Sequence, residues 1–160
     1  MGEQIVLGLG NNIDYEIVWD SEVLERLIVE FNIRDSEICS DIQIFSIRSL
    51  VVSILGFLKN ESGGEHFVNS LEIILDFASL FQKKITMGGT SFRAAMAMRK
   101  IGYNSALHLV TTNDLVRKMI PQDSPWVCSN DSDSFHPHLK VQFDKGTCLL
   151  YTSPSPRDRG

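Results

Sequence analysis

Apolar positions follow a helical spacing in five segments of the chain. After Asp20 or Ser21, the two candidate N-caps, the side chains of Val23, Leu24 and Leu27 fall on one side of a helix that runs to Phe31. Acidic residues occupy the first turn of this segment, where the helix dipole favours them. The five predicted helices cover Ser21–Phe31, Ser46–Leu58, Phe67–Gln82, Thr90–Ile101 and Asp114–Ile120.

Short apolar runs bounded by glycine, proline or polar residues predict buried strands between these helices. The first run begins at Gln4 and meets glycine-rich sequence at Gly8 and Gly10, so we expect Asp14 in a loop at the carboxyl end of this strand. Further strands are predicted at Lys83–Met87, Ser105–Thr111, Trp126–Ser129 and His138–Phe143. Strands that alternate with helices through short connections favour an α/β sheet over a helical bundle.

The composition is that of an ordinary globular domain. The 160 residues contain 15 Lys and Arg against 20 Asp and Glu, for a formal net charge of −5, and 43% of them are hydrophobic. This apolar content argues against wholesale disorder, and the acidic balance argues against a binder of nucleic acid or anionic membranes. The longest apolar stretch, Ser49–Leu58, is too short to span a bilayer. Three scattered cysteines fit neither a disulfide scaffold nor a cysteine-rich zinc site, and they predict a reduced, cytoplasmic setting.

Three positions among the predicted elements are candidates for ligand binding. Asp14 follows a predicted strand, where its carboxylate can accept hydrogen bonds from sugar hydroxyls or, alternatively, stabilise its own turn. Gly88 and Gly89 precede a predicted helix, where they let backbone N–H groups approach a ligand or simply form a tight turn. Glu65 lies between two predicted helices, and the alternative for it is a first-turn Glu stabilised by the helix dipole.

Metal and nucleotide sites find less support in the sequence. A group of His, Cys and Asp residues near the carboxyl end fits no standard zinc spacing, and we interpret its acidic members as a solvated loop. This group consists of Cys128, Asp131, Asp133, His136 and His138. Gly8 and Gly10 do not form a dinucleotide fingerprint, because Ile13 stands where the third glycine belongs, and the chain has no Walker-type loop.

Four segments stand in a characteristic order along residues 4–147. They are Asn11–Asp14, Ser62–Glu65, Gly88–Ala97 closed by Ile101 and Gly102, and His138–Phe143 followed by Lys145 and Gly146. Together they resemble the ADP-dependent glucokinase and phosphofructokinase family of the ribokinase-like superfamily. The resemblance implies the N-terminal part of a ribokinase-like, Rossmann-like three-layer α/β fold, with a helical insertion and part of a β lid.

The resemblance also implies an activity and a set of binding residues. The family transfers a phosphoryl group from ADP, with Mg²⁺, to a hydroxyl of a hexose or a hexose phosphate. By position, Asp14 and Glu65 would hydrogen-bond sugar hydroxyls, and His138 would lie near the sugar on a lid-associated strand. Gly89 and Thr90, next to Gly88, would contact the sugar at the hinge between the large domain and the lid.

Several positions depart from the family pattern and leave the identity of the sugar open. Thr90 stands where Gln or Asn is common, and Gln142 stands where an acidic residue is usual. Arg93 replaces part of a glycine-rich continuation. It would contact a phosphate and so favour a sugar phosphate, or it would form a surface ion pair of little energetic weight.

The catalytic parts of the family are not found in this sequence. The family's catalytic base belongs to a Gly-x-Gly-Asp motif, which the 160 residues do not contain, and its magnesium and adenine sites lie further downstream. We therefore predict that this chain alone is inactive. Two alternatives remain: a non-catalytic sugar-binding or regulatory homologue, and an ATP-dependent ribokinase-type kinase. The long helical stretch between Asp14 and Gly88 counts against the second.

The order of the residues at the end of the sequence indicates an unusual origin for this segment. Cys148–Asp158 matches the conceptual translation of a common transposon-type sequencing adapter at every position. The alternative from composition is a Pro- and Ser-rich disordered tail. We therefore expect residues 1–147 to be the N-terminal portion of a sugar-kinase domain, and residues 148–160 to be a disordered, adapter-derived artefact.

Overall fold

The computed structural model describes residues 5–8, 10–144 and 146–152. Its strands are β1 (Val6–Leu7), β2 (Asn12–Ile17), β3 (Gly64–Phe67), β4 (Lys83–Gly88), β5 (Ala106–Leu109), β6 (Trp126–Cys128), β7 (His138–Phe143) and β8 (Gly146–Tyr151). Its helices are α1 (Ser21–Glu30), α2 (Ile47–Lys59), α3 (Leu71–Ser79), α4 (Thr90–Lys100) and α5 (Asp114–Met119). A 3₁₀ turn at Asp35–Glu37 lies between α1 and α2. The predicted α/β fold is therefore confirmed.

The chain divides into two compact units. Among the described residues, unit 1 contains those up to Ile13 together with Thr86–His136, and unit 2 contains Asp14–Ile85 together with residues 137–144 and 146–152. Strands β2 and β4 contribute residues to both units, because the chain passes from one unit to the other within each of these strands.

Unit 1 is built on a three-stranded parallel sheet with the order β1-β5-β6. In the centre of the sheet, Leu107 pairs with Leu7 on one side and with Trp126 on the other. Helix α4 packs against β1 and β5 and buries Phe92 and Ala95. A small side chain such as Ala95 lets a helix lie close to a sheet, as the alanine-rich sequence of this helix predicts.

Unit 2 is built on a mixed sheet with the strand order β3-β8-β7-β2-β4. Strands β7 and β8 form an antiparallel hairpin, while β2 pairs with β7 and β3 pairs with β8 in parallel. Helices α2 and α3 pack on this sheet, and α1 packs on α2. Every residue from Leu50 to Phe57 in α2 is buried, so this helix forms the centre of the unit's core. In the described ranges, no helix combines the length and apolar character needed to cross a bilayer.

The structure corrects the predicted environment of Asp14. The residue lies within β2 and not in a loop after the first strand. In β2, Ile13, Tyr15 and Ile17 are buried and alternate with polar residues, which is the pattern of a strand with one apolar face. The prediction missed this alternation because the preceding glycines were interpreted as the end of the strand.

The structure also corrects the secondary structure predicted for the segment between α2 and α3. Glu65 lies in the edge strand β3, whereas the sequence placed it between two helices, and helix α3 begins at Leu71 and not at Phe67. Backbone pairing explains the difference, because β3 adds to β8 from Gly64 to Phe67. At the other end of α3, the ammonium of Lys83 donates to the carbonyl of Ala78 at 3.0 Å and satisfies a C-terminal acceptor.

Part of the expected disordered tail is ordered. Cys148–Tyr151 belong to β8, so the prediction of disorder is wrong for these residues, while residues 153–160 lie outside the described residues. Cys148 and Leu150 are fully buried on the core side of the sheet, between β7 and β3. Alternating residues, with Cys148 and Leu150 facing inward, can form a strand whether they are native or adapter-derived. The adapter interpretation concerns that origin and stays a prediction.

The three cysteines provide a direct check on strand β8. All three are free; Cys39 is exposed, Cys128 is half-buried and Cys148 is buried, which raises the pKa of its thiol to about 12. We expect a thiol-alkylating reagent at neutral pH to modify Cys39 rapidly, and to modify Cys148 at least about 100-fold more slowly until the protein is denatured. Peptide mass spectrometry of a time course measures both rates. Equal rates for Cys39 and Cys148 would mean that β8 does not form.

Candidate functional site

One side of the unit 2 sheet carries charged and polar side chains. We call this side the polar face and define it by Asp14 and Glu16 of β2, Glu65 of β3, and His138 and Lys140 of β7. Strand alternation creates it, because the intervening residues of β2 and β7 turn inward to the core. In the β2–β7 register, Asp14 is paired with His138 and Glu16 with Lys140. Three of the predicted site residues, Asp14, Glu65 and His138, therefore share this face.

Asp14 and His138 form the more buried row of the polar face. Asp14 Oδ1 lies 3.9 Å from His138 Nδ1, with the two side chains only 7% and 21% exposed. This separation is too long for a hydrogen bond, so the contact becomes an ion pair only if the imidazole is protonated. Burial lowers the pKa of His138 from its ordinary value, although the nearby carboxylates of Asp14 and Glu65 act in the opposite direction. At neutral pH the row therefore presents a carboxylate, which accepts hydrogen bonds, and a neutral imidazole, which can donate one and accept one.

His138 gives the stability of the protein a defined pH dependence. Its folded pKa is lower than the model-peptide value of 6.5, so the unfolded chain binds more protons as the pH falls from 6.5 towards the folded value. Stability is therefore lost over that window on acidification. We expect His138→Gln to flatten the fall in stability as the pH is lowered below about 6.5, measured by denaturant unfolding. His136→Gln, at an exposed position, is the matched control and should leave the slope unchanged.

Glu65 belongs to the second row of the polar face. Leu149 of β8 pairs with Lys140 on one side and with Glu65 on the other, so the row runs Glu16, Lys140, Leu149, Glu65 across the sheet. Glu65 is exposed, and its charge acts on His138 in the neighbouring row. Glu65, which the sequence placed between two helices, is thus a member of the same sheet face as Asp14.

The remaining predicted residues lie at the start of α4 in unit 1. Gly88 is buried at the end of β4, and Thr90 and Arg93 are exposed on the first turn of the helix. Gly89 is the N-cap, with φ +97°, a conformation that favours glycine. A Cβ added at Gly89 would lie 2.3 Å from the carbonyl oxygen of Gly10, so the position also requires the absence of a side chain. The first turn of α4 has no side-chain cap.

Sequence reasoning missed the part played by Asn11 in unit 1. This buried residue joins the chain after β1 to the carboxyl end of β5. Its Oδ1 accepts from the N–H groups of Val110 at 2.9 Å and Thr111 at 3.3 Å, and its Nδ2 donates to the carbonyl of Thr111 at 2.9 Å. Ser91 Oγ donates to the neighbouring Gly10 carbonyl at 2.9 Å. Asn11 thereby fixes the segment against which Gly89 packs, and its place directly after Gly10 is the sequence signal that could have indicated this role.

No metal centre forms from the residues that the sequence singled out. Across residues 5–8, 10–144 and 146–152, no group of three His, Cys, Asp or Glu side chains is placed to hold a metal ion. Asp133 instead pairs with the guanidinium of Arg117 at 2.7 Å, and this hydrogen-bonded ion pair lowers its pKa. The structure therefore assigns Asp133 to a surface ion pair that joins α5 to the loop between β6 and β7.

Comparison with known proteins identifies the fold. No protein-family model matches the chain, and no curated protein matches it. Solved structures do match. A protein described as the last common ancestor of ADP-dependent phosphofructokinases from Methanosarcinales aligns with a TM-score of 0.56 at 11% identity, over 94% of this chain and 38% of that one.

Two structures from Pyrococcus horikoshii OT3 give similar results. A hypothetical ADP-dependent phosphofructokinase and a phosphofructokinase with AMP both align with a TM-score of 0.58, at 11% and 10% identity, over 93% of this chain and 41% of theirs. The chain thus spans about two fifths of the length of these proteins. At such low identity the likeness is one of fold, and the chain shares the α/β fold of part of the ADP-dependent phosphofructokinases.

Proposed function

We propose that this chain is part of an ADP-dependent sugar kinase and that its polar face binds the sugar acceptor. Two independent observations support the proposal. The first is the likeness of fold to ADP-dependent phosphofructokinases. The second is the order of the four motif segments in the sequence. The observation that carries the proposal is the pairing of a nearly buried carboxylate, Asp14, with His138 on one face of the unit 2 sheet.

The chemistry of this row suits a polyhydroxylated ligand. A buried carboxylate offers two acceptor oxygens to hydroxyl donors, and a neutral imidazole beside it offers one donor and one acceptor. Charge-assisted hydrogen bonds of this kind are stronger than neutral ones, because the acceptor carries a full charge. In this proposal Asp14 and Glu65 accept hydrogen bonds from sugar hydroxyls, and His138 orients the sugar between them.

Residues at the start of α4, in unit 1, form a separate part of the proposal. In this proposal the first N–H groups of the helix and the Thr90 hydroxyl are donors for ligand oxygen atoms. Arg93 is the proposed contact for a phosphate group.

The full reaction needs groups that this chain does not supply. Mg²⁺ and ADP are the expected cofactors of the complete enzyme, yet the described residues provide no metal-binding group, and the sequence holds no Gly-x-Gly-Asp. Phosphoryl transfer requires charge neutralisation and a group that accepts the hydroxyl proton. We therefore assign to this chain acceptor binding alone, in a reduced, cytoplasmic setting.

One other function has a specific observation in its favour. Thr90 and Gln142 depart from the family pattern, as they would in a non-catalytic sugar-binding or regulatory homologue. Such a homologue binds the sugar through the same polar face and never phosphorylates it. The two functions differ in one requirement, because only the kinase needs a Gly-x-Gly-Asp motif.

Titration calorimetry with glucose and with fructose 6-phosphate tests the proposal on the chain as it stands. We expect saturable binding of at least one of them, and no ADP-dependent phosphorylation of either. Binding of neither sugar would contradict the proposed function. Phosphorylation of either sugar would contradict the assignment of acceptor binding alone.

A further inference from the structure

A serine and a histidine form a close pair at the carboxyl end of the unit 1 sheet. Oγ of Ser129 lies 2.6 Å from Nε2 of His108. His108 belongs to the central strand β5, and Ser129 directly follows β6, which pairs with β5 in parallel. Ser129 is exposed and His108 is half-buried, so a small molecule can reach the hydroxyl while the sheet partly encloses the imidazole.

The backbone around this pair holds both side chains in place. The N–H of Ser129 donates to the carbonyl of Leu109 at 2.9 Å, which ties the residue to the end of β5. Gly8 lies against the imidazole, because a Cβ added there would be 2.9 Å from Cβ of His108 and 3.2 Å from its Nδ1. The ring therefore packs against the backbone of Gly8, and this packing limits its rotation.

Apolar side chains lie beside the pair on the same side of the sheet. Val127 is the partner of His108 in the β5–β6 register, and Val6 is the partner of Ala106 in the β1–β5 register. Residues two apart on a strand face the same side, so these side chains share one face. Val6 and Val127 are 63% and 62% exposed. The hydroxyl of Ser129 is thus next to an accessible apolar surface, which suits a short hydrocarbon chain.

From this arrangement we propose that Ser129 is a nucleophile with His108 as its base, and that it takes an acyl group from a small apolar carboxylic ester. The inference is independent of the sugar site proposed for unit 2. A serine hydroxyl is a weak nucleophile by itself, and a histidine within hydrogen-bond distance activates it. The alternative is a structural contact between β5 and β6, which would leave this hydroxyl no more reactive than that of another exposed serine.

The proposed reaction needs only this pair and the ester. With the proton of the neutral imidazole on Nδ1, Nε2 accepts the hydrogen bond from the Ser129 hydroxyl. Oγ attacks the carbonyl carbon of the ester while Nε2 takes the hydroxyl proton, and the bond between that carbon and the alcohol oxygen then breaks. His108 returns the proton to the departing alcohol oxygen. The products are an O-acylated Ser129 and a free alcohol.

Acetylation by p-nitrophenyl acetate tests the proposal on the intact chain. Peptide mass spectrometry over a time course measures the rate at Ser129 and, as an internal control, at Ser132, an exposed serine of the same loop. We expect Ser129 to react at least about 100-fold faster, because a positioned base accelerates such a step about 10²–10⁴-fold. In His108→Gln the rate at Ser129 should fall to that of Ser132, whereas His136→Gln, at an exposed position, should leave it unchanged.

The two serines of the wild-type chain decide the proposal by themselves. Equal rates at Ser129 and Ser132 would overturn it, whether or not His108→Gln folds, and would leave the pair as a structural contact. An unchanged rate at Ser129 in a folded His108→Gln variant would overturn the role of His108 as the base.

The apolar surface has a separate test. Val127→Thr keeps the branched shape and replaces a methyl group by a hydroxyl. It should lower the rate with p-nitrophenyl butyrate, relative to the rate with the acetate, at least about twofold, because the longer acyl chain loses apolar contact. An unchanged ratio would overturn the assignment of Val127 to the acyl-binding surface.

Discussion

Asp14→Asn should weaken hexose binding roughly tenfold to a hundredfold while leaving the fold intact. The substitution keeps the shape of the side chain and removes the charge that strengthens its hydrogen bonds to sugar hydroxyls, worth about 1.5–3 kcal/mol at a charged acceptor. Asp14 is 5% exposed, so solvent screens this charge less than it would at the surface. Titration calorimetry measures the loss of affinity.

A charge change at the surface provides the control for this experiment. Asp41→Asn removes one carboxylate from an exposed loop of the same unit and should leave hexose affinity unchanged. Unfolding in denaturant for both variants reports whether the fold persists. If Asp14→Asn bound the sugar as tightly as the wild-type chain does, Asp14 would not be a sugar ligand.

Gly89→Ala should cost much more stability than the same change at Gly102. Both glycines have positive φ, +97° and +91°, so an added methyl group strains the backbone of both by about 1–2 kcal/mol. At Gly89 the added Cβ would also lie 2.3 Å from Gly10 O and 2.9 Å from Asn11 Cα, whereas nothing lies within 4 Å at Gly102. Backbone atoms yield less readily than a flexible side chain, so the total at Gly89 should be about 2–4 kcal/mol.

Comparison of the two glycine variants isolates the steric cost of the added methyl group at Gly89. Denaturant unfolding of both variants gives two losses of stability, and their difference measures the clash with the Gly10–Asn11 segment, since the conformational strain is common to both. Equal losses would mean that the start of α4 does not lie against this segment.

Much of the fold could be predicted from the sequence, because the residues that begin and end a helix act locally. Asp20 accepts from the N–H groups of Glu22 at 3.0 Å and Val23 at 3.2 Å, as its place before an apolar stripe predicts. Ser46 caps α2 in the same way, through the N–H of Ser49 at 3.2 Å. Such caps depend on residues within three positions, so a single sequence specifies them.

Sheet membership was harder to predict because it depends on distant partners. Glu65 lies in a strand only because β8, more than 80 residues later, pairs with it. The alternation in β2 was visible in the sequence, yet glycines at positions 8 and 10 suggested that the strand had already ended. Strand propensity is decided by packing and pairing, and this context is absent from a local window.

The candidate site was predicted residue by residue and not as a surface. Asp14, Glu65 and His138 were each singled out, but the face that they share follows from three pairings that join the four strands β2, β7, β8 and β3. The sequence did not single out Glu16 and Lys140, because charged residues are usually solvated at the protein surface. Their significance depends on the parallel pairing of β2 with β7, which places them beside each other and one row from Asp14.

Residue-level mapping of hexose binding tests the central claim most directly. In amide-resolved NMR titrations of the isotopically labelled chain with glucose and with fructose 6-phosphate, we expect at least one sugar to give saturable shifts concentrated on β2, β3 and β7 around Asp14, Glu65 and His138. The same titration of Asp14→Asn should shift these signals only at much higher sugar concentrations. Saturable shifts that avoid all three strands, or the absence of any shift, would contradict the assignment of the polar face as the sugar-binding surface.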